Sequence, residues 1–120
     1  MSLNTQTILS TTVYGTASGN YDGSSLAFDS NGTQAVGYYA GLGSIQTVTI
    51  RVSGFQGVIT LQASLNDTVE TAAWFDVSEY IAVEPITDYH PESLVGNYVW
   101  IRAQITNFEA GTIDSITITY

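Results

Sequence analysis

The side chains best equipped for chemistry are few and scattered. His90 is the only histidine; it lies in Asp88-Tyr-His-Pro91 with Glu92 beside it. An imidazole near carboxylates is raw material for a general base or a metal site. The rest of the chain offers it little help. There is no cysteine and no lysine, which removes thiolate and amine nucleophiles along with the soft metal ligands. No Gly-x-Ser-x-Gly elbow presents a serine. Asp76, Glu79, Glu84 and Glu109 could supply an acid–base pair, but such a pair is defined by separation in space, not along the chain. Asp29-Ser-Asn-Gly32 opens like a calcium loop and then lacks the later oxygen ligands and the closing glutamate; it reads as a turn. His90 reads as a surface-loop residue. The sequence predicts a protein that is not an enzyme, with no catalytic residue, no cofactor and no metal.

Aromatic residues carry more information. Tyr38, Tyr39, Trp74, Tyr98 and Trp100 lie in or beside predicted strands, and Trp100 shares a face with Arg102 two residues on. Trp, Tyr and Arg are the residues enriched in protein interfaces, particularly where other charges are sparse. Tyr98, Trp100, Arg102, Tyr38, Tyr39 and Trp74 are therefore the candidate interface residues. Two rival readings remain. The tryptophans could complete a core or cover its rim, or an aromatic row could stack sugar rings of a host glycan.

Composition narrows the partners. A chain of 120 residues reads as a single domain, 1–120. Charged residues make up 11% of it, against about 25% in ordinary globular chains, so its wet surfaces must be built from Thr, Ser, Asn and Gln. Arg51 and Arg102 are the only fixed cations, and the net charge is −9. That charge opposes binding to nucleic acid and to anionic membranes. Lysine, the usual guard of sheet edges, is missing, so edges are expected to be covered by partners. The N-terminus lacks a basic region followed by a long apolar run, so no secretion signal is expected.

The elements that must position these residues are strands. Residues 5–14 are β-branched. Residues 15–33 form a glycine-rich loop with a short strand near Leu26-Ala-Phe28, and 34–40 a short aromatic strand. Alternation then marks Val48, Ile50 and Val52; Ile59, Leu61, Ala63 and Leu65; Phe75 and Val77; Val99, Ile101, Ala103 and Ile105; and Ile116, Ile118 and Tyr120 as inward faces. Turns are expected at 53–57 and 107–111, a short strand over 81–86 ending at Pro85, and a loop over 87–94. No helix is expected. About seven to nine strands of this kind predict an all-β, antiparallel β-sandwich of jelly-roll or Greek-key form.

The second half also carries a series of motifs. A Phe-x-Gly turn leads into Ile-x-Leu-Gln-x-Ser-Leu (Phe55 to Leu65). A Trp-Phe pair follows (Trp74-Phe75), then Gly-Asn-Tyr-x-Trp-Ile-Arg-Ala (Gly96 to Ala103) and Phe-x-x-Gly-x-Ile-x-x-Ile (Phe108 to Ile116). In this order and spacing the segment resembles small β-sandwich virion proteins of tailed bacteriophages, including phages of marine cyanobacteria. The resemblance implies a structural role on the phage particle, with no catalytic residue attached. A stand-alone domain would then be a capsid decoration or cement protein docking on the major capsid protein, with a homo-oligomer, a trimer at a three-fold position, as the expected form. A tail, baseplate or fibre component is the alternative within the particle. A carbohydrate-binding adhesion module is the alternative outside that class.

Overall fold

The computed structural model describes residues 5–35, 45–65, 73–96 and 98–120. Among these, every regular element is a strand: β1 Thr5–Leu9, β2 Thr12–Val13, β3 Phe28–Asp29, β4 Thr33–Gln34, β5 Ile45–Ser64, β6 Phe75–Val95 and β7 Trp100–Thr119. All pairings between them are antiparallel.

Three strands are much longer than the segments that turn signals mark out. β5, β6 and β7 have 20, 21 and 20 residues. Twenty residues of straight strand would run about 66 Å, yet the longest dimension of the molecule is 39 Å. The strands are bent double. In β5 the register slips between Val52 and Val58, around Gly54 (φ 61°) and Gly57 (φ 156°). In β7 the bend carries Asn107 (φ 51°) and Gly111 (φ 87°). β6 takes Val83-Glu-Pro85 round the same corner, between Ala82 paired with Gly57 and Ile86 paired with Phe55. Bulges of this kind turn a strand and reset which residues face inward. Accordingly β5 buries even-numbered Val48, Ile50 and Val52 before the corner and odd-numbered Phe55, Ile59, Leu61 and Ala63 after it.

The bent sheet closes on itself. Tyr120, just past one end of β7, donates its phenol to the carbonyl of Gln34 at 3.2 Å, and Gln34 is paired with Trp100 at the other end. Thr33 Oγ1 donates to the carbonyl of Thr7 at 3.4 Å on the same side, and Ser78 Oγ to Glu92 Oε1 at 2.9 Å on the opposite side. β1 to β4 run in order down the free edge of β7, as one interrupted strand. Each layer is thus four strands wide, β1/β2–β7–β5–β6 facing β3/β4–β7–β5–β6. Long antiparallel strands folded over in this order make a jelly-roll sandwich.

Isoleucine, valine and leucine from both layers fill the gap, among them Ile50, Ile59, Leu61, Ile101, Ile105, Ile113, Ile116 and Ile118. Each buried side chain of this size contributes about 2 kcal/mol. At the corner the filling becomes aromatic. Phe108 lies 5.7 Å from Phe55, 5.2 Å from Tyr21 and 5.5 Å from Tyr14 (ring centroids). The loop between β2 and β3 folds over this cluster, held by Tyr14 N–H to Gly111 O at 2.9 Å and Phe108 N–H to Leu26 O at 3.0 Å.

Several expectations need correction. The segments 73–80, 81–86 and 87–94 are not two strands and a loop but one strand, β6, so His90 and Pro91 are strand residues. Proline is tolerated there because β6 is, among the described residues, an edge strand, whose outward positions need no ladder donor. The turns at 53–57 and 107–111 are bends within β5 and β7. β7 begins at Trp100, after the Val99 that alternation placed on its inward face, because β6 and β7 are not neighbours and the chain must cross the end of β5 to connect them. That crossing is marked by Val99 N–H bonding to Ser64 O at 3.0 Å. The predicted aromatic strand keeps only its start, Gln34 in β4; residues 36–40 lie outside the described residues.

Candidate functional site

Three of the six candidate interface residues occupy one outer face. Trp100 and Arg102 project from β7, in register with Ser64 and Gln62 of β5. Arg102 places its guanidinium 4.6 Å from the centre of the Trp74 ring. Its Nε donates to Gln62 Oε1 at 2.8 Å, and Gln62 Nε2 donates on to Asp76 Oδ1 at 2.9 Å. Asp29 Oδ2 stands 3.8 Å from Arg102 Nη1. A row running from β3 to β6 is therefore tied together side chain by side chain. Gln62 is buried within it. The Trp74 ring is engaged by the protein's own arginine, an arrangement that stabilises this face.

Tyr98 does not join them. It precedes the first residue of β7, so strand alternation does not hold it on the Trp100 side. Its ring packs on Phe75 at 5.9 Å and against the core, and its hydroxyl donates to Val95 O at 3.4 Å. Tyr38 and Tyr39 lie outside the described residues.

His90 has partners that its sequence neighbourhood only half suggests. The fold of β6 brings Ser78 and Tyr80 over Asp88, His90 and Glu92. His90 Nε2 lies 3.2 Å from Glu92 Oε2, Ser78 donates to the other oxygen of Glu92, and Tyr80 donates to Asp88 Oδ2 at 2.9 Å. The Tyr80 and His90 rings sit 5.0 Å apart. Burial first, then the hydrogen bond to Asp88 and its charge, push the Tyr80 phenol up to about 12. A hydrolytic serine needs the imidazole as its direct partner with the acid behind it. Here the carboxylate stands between Ser78 and His90, so the serine gains no base.

The other chemical candidates are engaged in the fold. Asn31 Oδ1 accepts from Asn20 Nδ2 at 3.0 Å, and Ser30 Oγ accepts from Ala103 N–H at 2.8 Å, so the calcium-like stretch uses its oxygens internally. Glu109 Oε2 accepts from Gln56 at 3.1 Å. Among the described residues no group of three His, Cys, Asp or Glu is placed to hold a metal ion.

The surface that sequence reading missed is β6 itself. Among the described residues it pairs with β5 alone, which leaves a long open edge. Large apolar side chains stand exposed along it: Ile81 at 57%, Val83 at 81%, Tyr89 at 64% and Val95 at 73%. Residues 75–95 also carry five carboxylates and no lysine or arginine. The two prolines and five carboxylates mark the segment as unlike the other strands, but splitting it at Pro85 hid the continuous strand. Compared with known protein families, with characterised proteins and with solved structures, the chain matches none of them.

Proposed function

We propose that this protein is a non-enzymatic structural protein of a phage particle, a decoration or cement protein that docks on the head shell. The carrying observation is the β6 edge, an open strand bearing Ile81, Val83, Tyr89 and Val95. A monomer in isolation gains nothing from such an edge, which invites strand pairing; a subunit seated on a neighbour covers it. The motif series from Phe55 to Ile116 supports the placement on a virion, and a jelly-roll suits a part built for packing between others. Repetition of one weak contact over a shell, or within a trimer, adds up to firm attachment. Net charge of −9 would keep decorated particles apart in solution. The glycan-binding reading asks for an open aromatic platform, and Arg102 occupies one face of Trp74.

The test is co-sedimentation with phage heads assembled without this protein. Saturable binding that raises the temperature at which the shell breaks is the expected result. No head binding, together with glycan-array binding lost on Trp74→Ala, overturns the proposal.

A further inference from the structure

The open edge of β6 is not uniform. Pro85 and Pro91 remove backbone donors from its corner and its second half. The stretch Phe75–Ala82 contains no proline; its register with β5 slips once, between Asp76 and Ser78, and runs unbroken from Ser78 to Ala82, where a ladder can be extended without a gap. That stretch is also set in a field of one sign. Asp76 and Glu79 are exposed on it and Glu84 follows at the corner. Asp88 and Glu92 approach from the facing half of β6, held against Tyr80 and Ser78. Arg51 stacks on Tyr89 at 5.0 Å in the second half of β6 and Arg102 reaches Asp76 only through Gln62; among the described residues no arginine forms an ion pair with Asp76 or Glu79.

Charge decides between occupants. A second copy pairing along Phe75–Ala82 would set Asp76 and Glu79 against the same two residues with no cation on either stretch, and like charges on facing strands oppose pairing. A strand carrying Lys or Arg would find carboxylates on both faces of the ladder. The exposed Phe75, Ile81 and Val83 offer apolar contacts to the residues between. We propose that the β6 edge from Phe75 to Ala82 takes up an extended basic segment of another protein as an added strand. Backbone hydrogen bonds would give affinity, and alternating Lys/Arg and apolar side chains would give specificity. The inference rests on the docking role proposed above and adds the chemistry of the partner.

The probe is an end-blocked ten-residue peptide of alternating lysine and valine, added to the full chain. Saturable binding is expected, weakening at least about tenfold between 0.05 and 0.5 M salt, with hydrogen exchange slowed at the amides of residues 75–82. The same peptide N-methylated at every residue keeps its charge and loses its ladder donors on both edges; it is expected to bind at least about tenfold more weakly. Asp76→Asn combined with Glu79→Gln is expected to weaken the unmethylated peptide while leaving the fold intact. Equal binding of both peptides, protection at another site, or protection in the free protein of those amides of 75–82 that point away from β5 each overturn the inference. So does a dimer in sedimentation that is lost when Val83→Lys is introduced. If heads bind the protein but the peptide does not, this inference fails alone; if the peptide binds and heads do not, the decoration role fails alone.

Discussion

Tyr80 and Asp88 belong to the same strand, and the phenol of one donates to the carboxylate of the other at 2.9 Å. Eight residues of straight strand would hold them about 26 Å apart. The bond therefore records the corner at Val83-Glu-Pro85, and it ties the two halves of an edge that has no other strand beyond it among the described residues.

That relationship gives a pH signature. The Tyr80 phenol is raised from 10.0 to about 12 by burial and by Asp88, so the folded protein favours the neutral form. Its contribution is complete below pH 10 and is lost as pH rises from about 10 to about 12. An ultraviolet titration is expected to show a tyrosine ionising near pH 12, and Tyr80→Phe to remove that step. The variant is expected to lose about 1 kcal/mol at neutral pH, the ordinary worth of one hydrogen bond. An alkaline unfolding curve unchanged by Tyr80→Phe would show that this bond does not hold the seam.

The corner glycines should differ sharply in tolerance. Gly54 and Gly111 both have positive φ, 61° and 87°. A methyl on Gly54 meets open space, whereas one on Gly111 runs into the backbone carbonyl of Gly54. Gly54→Ala is expected to cost about 1 kcal/mol, the left-handed penalty alone. Gly111→Ala is expected to cost about 3 kcal/mol or more, since backbone must shift as well. Urea denaturation of the two variants measures the difference, and equal costs would place the bend elsewhere.

Phe108 is the hub of the corner. It is fully buried and touches Tyr14, Tyr21, Phe28 and Phe55. Phe108→Ala is expected to cost about 3–5 kcal/mol through the cavity it leaves. Tyr14 covers the same cluster from a half-open position, with 46% of its surface exposed; Tyr14→Ala is expected to cost about 1 kcal/mol. Calorimetric melting of both variants tests the ranking.

How much of this was legible follows from what each signal measures. Alternation reports a face, so Val48-Ile50-Val52, Ile59-Leu61-Ala63 and Ile101-Ala103-Ile105 are buried as expected, whereas Leu65, one residue past the end of β5, and Phe75, the first residue of β6, were expected inward and are exposed. Glycine reports a change of backbone direction and does not say whether the ladder stops. Gly54 and Gly111 therefore read as turns, although the strands continue through them. Pro91 reported a missing donor, which a loop and an edge strand share. The pairing of Trp74 with Arg102 lay beyond any local signal, because the residues are 28 positions apart and Trp74 precedes β6, which β5 separates from β7. Tyr98 was misplaced by extending the period of β7 two residues too far.

Arg102 separates structure from docking on the outer face. Arg102→Ala leaves buried Gln62 without the donor to its Oε1 and frees the Trp74 ring. A loss of about 1–3 kcal/mol is expected, with a red shift of tryptophan emission. Arg102→Lys keeps the charge without the planar fork and should restore only part of the stability. If Arg102→Ala keeps full stability yet abolishes head binding, this face is the docking surface and the β6 edge is not.

Asp22 ties a turn within the loop that covers the corner. Its carboxylate accepts the Ser24 and Ser25 amides at 2.9 and 2.7 Å and the Ser25 hydroxyl at 2.7 Å. These bonds, the Ser24 amide foremost, hold the group down to about 2 from 3.8. A depressed carboxyl stabilises the fold above its unfolded value and loses that effect as pH falls from 3.8 through about 2. The same loop carries Tyr21 onto Phe108, so loosening it should be felt at the aromatic cluster. Amide exchange across residues 14–27 is expected to accelerate as pH drops over that window, after correction for intrinsic exchange. Asp22→Asn keeps an acceptor oxygen but has no proton to gain, so its loop should exchange faster at pH 5 and respond little between pH 4 and 2. A variant with the same acid response as the parent would show that another carboxylate governs the loop.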